Sequence, residues 1–302
     1  MRDVMGKVAV VTGGAGGIGR ALVERFTTEG MKAVIADVDA ELVASTTKEL
    51  RSDGREVTGV VTDVTSLESV EALRDATIEK YGAVHLLCNN AGIGPGADGT
   101  IWEHHVNDWR WAFDVNVMGV VNGINAFVPT MIAQDAEGHV VNTTSANGGF
   151  TPMVNAGLYA ATKAAVTTIT EALWGQLHAA GVKVGASLLY PSTSTPGLLA
   201  TGLFRGGRNR PEKYDRPGAP PQEGRDGMAI VKAQLEAAGV PVVFAPLSEV
   251  ADICFKGIIN DTFWITAPSE QQAAKIEARA HSQIAMTDPE YLLEGSLGLV
   301  KS

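Results

Sequence analysis

The stretch LYAATKAAV places a tyrosine, Tyr159, four residues ahead of a lysine, Lys163, in an otherwise apolar run of helical character. At that spacing the two side chains leave one face of a helix a turn apart, so the ammonium reaches the phenol. A phenol titrates near pH ~10, and a neighbouring positive charge favours its ionised form. The pair is therefore a candidate general acid/base. On a surface helix the same four-residue pattern is only a lysine beside a half-buried tyrosine, so its meaning depends on what else shares the site.

The run VVTGGAGGIGRAL supplies a second chemistry. Gly13, Gly17 and Gly19 stand in T-G-x-x-x-G-x-G spacing between a β-branched run and a helical pattern. Glycine lets the backbone turn tightly and approach a pyrophosphate, while helix N-terminal amides hold the negative charge. The contact set expected from this loop is Gly13, Gly14, Gly16, Gly17, Ile18 and Gly19. Asp37 follows Gly19 by eighteen residues, with Val38 next to it, at the end of the next apolar run. A carboxylate there accepts hydrogen bonds from the adenosine ribose hydroxyls. A 2′-phosphate beside it would meet like charge at a cost on the order of 4 kcal/mol at 4 Å. No arginine follows Asp37 and the loop before Arg20 has no basic residue, so the expected cofactor is NAD(H).

Elements must hold these residues in place. Strand-like runs at 7–12, 32–37, 56–63, 84–89, 139–145 and 182–189 alternate with helical patterns at 17–30, 40–53, 66–81, 107–134 and 156–181. Nearly continuous apolar strands separated by helices predict an α/β fold, a doubly wound, mostly parallel seven-stranded sheet covered on both faces. Pro129 predicts a kink or break late in the fourth helix. Residues 205–227 hold five Gly and four Pro, so they are not one regular element. A long insertion after the sixth strand overhangs the ligand crevice, and a lid over about 192–247 is expected, its apolar patches being Leu198, Leu199, Leu203 and Phe204, then Met228, Ile230, Val231 and Leu235. Beyond residue 227, 228–239 and 248–260 read as amphipathic helices and Phe263–Thr266 as a last short strand, so the α/β domain spans 1–268. A helical extension, 269–302, is expected to pack on the domain or on a neighbouring subunit.

With 302 residues, 45% hydrophobic and a net charge of −10, the chain has the composition of an acidic globular enzyme. It lacks the basic footprint of a nucleic-acid partner. Cys88 and Cys254 lie in apolar runs and read as buried thiols, in keeping with a reducing, cytoplasmic setting. No signal-peptide pattern and no membrane span of ~18 apolar residues is expected.

TGGAGGIG, NNAG (89–92), NVMG (116–119), Ser145 and YAATK occur together, in order and spacing. Over about residues 6–193 the chain resembles the short-chain dehydrogenase/reductase family in its single-domain form. The resemblance implies an NAD(P)-dependent oxidoreductase with an Asn-Ser-Tyr-Lys tetrad: Asn116, Ser145, Tyr159 and Lys163. Ser145 would hydrogen-bond the substrate oxygen and Tyr159 would exchange a proton with it. Lys163 would also hold the nicotinamide ribose, and Asn116 would support a water-mediated relay. The resemblance further implies adenine contacts at Asp63 and Val64, and a cofactor-side loop at Asn90, Ala91 and Gly92. Where the family reads Pro-Gly, this chain has Pro191 and Ser192, and either Thr193 or Thr195 takes the carboxamide-contacting role.

The tail motifs PEKYDRPG and WITAPSE resemble the C-terminal parts of bacterial dehydrogenases that oxidise benzylic alcohols of lignin-type aryl ethers. They imply a roomy, aromatic-tolerant pocket, with Trp102, Ala146, Asn147, Phe150, Met153, Leu198 and Leu203 as candidate lining. Asn107 is the expected N-cap of the fourth helix, and His104 and His105 lack a third ligand, so no metal is expected. A bulky secondary alcohol or ketone is the expected substrate and a homodimer or homotetramer the expected assembly. The rival functions are an epimerase or dehydratase of the same superfamily and a non-catalytic NAD-sensing module.

Overall fold

The computed structural model describes residues 1, 3–94, 100–195, 197–218 and 242–293, together with 229, 232 and 236, with the side chains of 204–206 and 208 left out. Six strands, β1 (Val8–Thr12), β2 (Lys32–Asp37), β3 (Val57–Val61), β4 (Leu86–Asn89), β5 (Gly138–Thr143) and β6 (Val184–Leu189), follow the six apolar runs. Two short strands, β7 (Leu198–Leu199) and β8 (Phe244–Ala245), pair with each other, and β9 (Trp264–Ile265) completes the main sheet. That sheet has seven parallel strands in the order β3-β2-β1-β4-β5-β6-β9. The order reverses between β1 and β4, which opens a crevice beyond the carboxyl ends of those strands.

Helices α1 (Gly17–Thr28), α2 (Ala40–Ser52) and α7 (Leu247–Ile259) cover one face, burying Leu22, Phe26, Leu50 and Val250 among others. Helices α3 (Leu67–Tyr81), α5 (Gly119–Ala133) and α6 (Gly157–Ala180) cover the other, through Leu73, Phe127 and Leu177. Each such side chain stabilises the fold by ~1.5–3 kcal/mol relative to exposure. Cys88 and Cys254 are buried free thiols whose pKa values burial raises.

The long fourth helical pattern departs from expectation. It is α4 (Val106–Phe113) and α5 joined by a π-helical turn, Asp114–Met118, while α5 runs through Pro129 to Ala133. The irregularity centres on Asn116, whose carboxamide is drawn into tertiary bonds. The N-cap of α4 is His105, not Asn107: its ring Nδ1 accepts from the Asn107 amide at 3.1 Å. Asn107 instead donates to the Asp215 carbonyl at 2.6 Å. Val106–Ala133 is long and apolar enough to cross a membrane by length and composition, at a mean hydropathy of 1.4, but 56% of that window is buried inside the fold.

After β6 the chain runs through the β7–β8 pair, which draws together residues 198 and 244. Between them, Gly202–Asn209 and Glu212–Tyr214 are 3-10 helical. The expected apolar positions Met228, Ile230, Val231 and Leu235, and the side chain of Phe204, lie outside the described part. Helix α8 (Glu270–Ala285), capped by Ser269, buries none of its residues.

Candidate active site

A cleft of about 830 Å³ lies over the carboxyl ends of β1, β2, β4 and β5. Gly13, Gly16, Gly17 and Ile18 form one side of it. Gly13 has φ +64°, and a Cβ there would stand 2.9 Å from Ala91 Cα. Gly14 and Gly19 lie beneath the loop, where a Cβ on Gly19 would fall 2.0 Å from the Gly13 carbonyl oxygen. Helix α1 starts at this loop with no side-chain cap and no acidic residue in its first turn, unlike α2 and α3, which Asp39 and Ser66 cap. Its first-turn amides and its dipole are thus left to an anion.

Asp37 and Val38 line the cleft at the end of β2. Burial raises the Asp37 carboxyl, and backbone amides, Asp39 among them at 3.3 Å, pull it down. Asp63 and Val64 continue this wall, Asp63 turned inward on the Thr65 amide at 2.9 Å. Asn90, Ala91 and Gly92 face the glycine loop. Here Asn90 Nδ2 donates to the Thr12 carbonyl, and the Thr12 hydroxyl accepts from the Asn90 and Ala91 amides at 3.0 and 3.1 Å.

At the β5 end, Ser145, Tyr159 and Lys163 meet on one wall. The Ser145 hydroxyl favours the ionised form of the Tyr159 phenol. Lys163 Nζ lies 5.6 Å from the Tyr159 ring centroid and donates to the Thr143 carbonyl at 3.0 Å. Burial pushes Tyr159 up to about 12, with the Ser145 hydroxyl acting in the opposite sense, and pushes Lys163 down to about 8. The sequence argument had the ammonium lowering the phenol; in this closed wall burial is the largest influence and raises it.

Asn116 is fully buried behind this wall. Its Oδ1 accepts from the Ile93 amide at 2.8 Å, and its Nδ2 donates to the Ile93 carbonyl at 2.9 Å and to Thr162 Oγ1 at 3.1 Å. The carboxamide thus holds the loop after β4 to α6. A π turn at such a position is a frequent mark of a functional site.

Several expected residues sit elsewhere. Pro191 lines the cleft, but the Ser192 hydroxyl turns to Thr266 Oγ1 at 3.0 Å and accepts from the Ala267 amide at 2.8 Å, tying β6 to the chain after β9. Thr193 donates to the Thr195 carbonyl, and the Ser194 and Thr195 amides donate to Glu249, so neither threonine side chain faces the cleft. Trp102 is 83% exposed and Met153 is exposed. Phe150 stacks on Tyr190, ring centroids 3.9 Å apart, and Ala146 and Asn147 belong to the turn behind Ser145. None of these five lines the cleft.

Of the expected pocket, Leu198 and Leu203 do. Sequence reasoning missed Trp111, Val115 and Thr201. The four-residue step from Trp111 to Val115, one before Asn116, places both on one helix face and could have revealed them. Thr201 gave no signal: it stands 3.6 Å from a Cβ built on Gly17 only because the chain returns there after β7. Among the described residues no cluster of metal ligands occurs.

The chain from 202 to 218 is fastened to α4. Arg210, its side chain 9% exposed, pairs with Asp108, 6% exposed, at 2.5 Å and lies 4.9 Å from the Trp111 ring centroid. Its guanidinium also donates to the Tyr214 carbonyl, and the Tyr214 hydroxyl donates to Asp114 at 2.6 Å.

The sequence matches the family model for short chain dehydrogenase over residues 7–203. It is 31% identical over 270 residues to a CLA biosynthesis dehydrogenase/reductase of Lactiplantibacillus plantarum, covering 89% of this chain and 91% of that one. It is 36% identical over 219 residues to the C alpha-dehydrogenase of Sphingobium sp. strain SYK-6, covering 72% of this chain and 68% of that one. Among solved structures, a short chain dehydrogenase/reductase from Burkholderia phymatum in complex with NAD matches with a TM-score of 0.83 at 39% identity, over 96% of this chain and 98% of that one. A parallel sheet in this order, a glycine loop before an uncapped helix and a Ser-Tyr-Lys wall thus accompany a family match covering most of the chain: the protein belongs to the short-chain dehydrogenase/reductase family of oxidoreductases.

Proposed function

We propose that the protein is an NAD-dependent dehydrogenase that interconverts a secondary alcohol and a ketone, on a bulky hydrophobic or aromatic substrate. The observation that carries this reading is the meeting of Ser145, Tyr159 and Lys163 on one wall of a cleft whose opposite side is the glycine loop. The bound dinucleotide would supply the hydride acceptor or donor. The cradle fits it: glycines 13, 16 and 17 leave room for a pyrophosphate at the free amides of α1, and Lys163 reaches the cleft beside Thr143.

The residues then divide the work. The Ser145 hydroxyl holds the substrate oxygen, and Tyr159 Oη takes or gives the proton at that oxygen. Lys163, when charged, favours the phenolate that forms as Tyr159 gives up its proton. Asp37 accepts from the ribose hydroxyls and repels a 2′-phosphate. Arg20, in the first turn of α1, is held by Glu24 and Glu49 at 2.8 and 2.5 Å and is not free to offset that repulsion. Leu198, Leu203, Trp111 and Val115 make the pocket wall apolar, which favours a large hydrophobic substrate. The tail motifs' resemblance to dehydrogenases of lignin-type aryl ethers supports an aryl-substituted alcohol. A cytoplasmic homodimer or homotetramer completes the reading.

Steady-state turnover of secondary aryl, alicyclic and short-chain alcohols with NAD+ and with NADP+ tests it. The expected result is a higher kcat/KM with NAD+ and with the bulky alcohols. An equal or higher value with NADP+, or a preference for ethanol-sized substrates, overturns the cofactor or the substrate assignment respectively.

A further inference from the structure

The turn that follows Ser145 is tightly constrained. Ser145 caps it, its hydroxyl accepting from the Asn147 amide at 3.2 Å and its carbonyl from the Gly149 amide at 3.0 Å. Gly148 has φ +101°, and a Cβ there would stand 2.1 Å from the Ala160 carbonyl oxygen, so the turn presses on α6 immediately beside Tyr159. A displacement of this turn would therefore move Ser145 relative to Tyr159.

At its far end the turn is pinned twice. The Phe150 ring lies flat on Tyr190, with an interplanar angle of 4°. The Phe150 carbonyl accepts from Arg279 Nη1 at 2.5 Å, across 129 residues of sequence. Arg279 belongs to α8, which buries none of its residues. A helix without a buried face has little apolar packing to hold it to the domain, so this charge-assisted bond is a principal tie, of a kind roughly twice as strong as a neutral one.

We propose that Arg279 is a positioning residue for Ser145, through which the C-terminal helix sets the geometry of the active-site wall. The inference rests on the reading of Ser145 as the hydroxyl that holds the substrate oxygen. Arg279 does not line the cleft; it acts through the Phe150 carbonyl and the turn. Loss of the guanidinium leaves that carbonyl without its donor and frees the turn to shift against Ala160.

The test compares full-length Arg279→Met and Arg279→Lys with the wild type, reading alcohol turnover, NADH affinity by fluorescence titration, and hydrogen exchange of the peptide spanning 145–151. Arg279→Met should lower kcat/KM for the alcohol about tenfold, the scale on which small misplacements of a catalytic group act. It should leave NADH affinity unchanged and speed exchange of the Gly149 and Phe150 amides. Arg279→Lys, which can still donate to the carbonyl, should recover most of both effects. Unchanged exchange in the Arg279→Met protein overturns the inference, as does a uniform loss of NADH affinity with no change in the 145–151 peptide. If no alcohol is turned over by the wild type, the functional reading falls, while the exchange measurement still decides whether Arg279 holds the turn.

Discussion

The two sides of the cleft are built differently. The nucleotide side, β1 to β4 with its loops, rests mainly on backbone shape within short segments: Asp37 stands eighteen residues from Gly19, and the long-range bonds there, from Asn90 and Ala91 to Thr12, are to backbone or from it. The closing side is made by distant partners. Asp108 and Arg210 are 102 residues apart, Asp114 and Tyr214 100, and β7 meets β8 only after the intervening insertion. One side depends on glycine geometry and helix ends; the other depends on a buried ion pair and aromatic packing. Damage to the first should abolish cofactor binding, and damage to the second should loosen closure while leaving the dinucleotide cradle in place.

The largest effect is expected where the two sides meet. Tyr159→Phe removes the phenolic oxygen and keeps the ring, so kcat should fall about 10²–10⁴-fold while NADH affinity is retained. Single-turnover kinetics beside a fluorescence titration separate the two quantities, and a near-wild-type kcat would refute the proton-transfer role.

Next comes the closing side alone. Asp108→Ala leaves the Arg210 guanidinium buried without its carboxylate, and breaking a buried pair costs about 3–5 kcal/mol. That cost should appear as faster exchange in 202–218 and a raised KM for bulky substrates, with the glycine loop unaffected. Arg210→Met in the same protein should restore part of the loss, since the more buried of the two cations that face Asp108, Arg210 and Arg216, is then gone. Without such rescue the pair would not be the fastening.

A control lies at the other end of β5. Burial holds His139 down to about 4 against an ordinary 6.5, with Asp261 acting weakly in the opposite sense. The folded protein thus keeps the ring neutral where the unfolded chain takes up a proton. Its contribution to stability is complete above pH 6.5 and is lost as pH falls through 4, up to about 3 kcal/mol. Denaturant unfolding between pH 7 and 4 should therefore show a slope that His139→Gln flattens, with no change in cofactor selectivity. An unaltered slope would place the acid sensitivity in another group.

The smallest effect concerns the ribose end. Asp37→Ser removes the carboxylate that repels a 2′-phosphate but adds no cation, since Arg20 stays bound to Glu24 and Glu49. The ratio of kcat/KM for NAD+ over NADP+ should fall by about tenfold, without reversal. A full reversal would mean that another cation reaches that position.

Much of this was legible in the sequence because it is local. A glycine at φ +64°, a phenol and an ammonium one helical turn apart, and apolar strands alternating with helices each follow from backbone sterics and side-chain periodicity over a few residues. Those same local rules determined the sheet, its two covered faces and the Tyr159 and Lys163 pair, while Ser145 was legible through the resemblance to the family. What only the tertiary structure decided are the matters in which burial and long-range pairing outweigh local preference. It moved the helix irregularity from Pro129 to the turn at Asn116, where a carboxamide finds three partners in distant segments. It turned Ser192, Thr193, Phe150 and Trp102 away from the cleft and brought Trp111 and Thr201 in. It also reversed the direction in which the phenol is shifted, because desolvation depends on every atom packed around a group and a four-residue spacing carries no information about that.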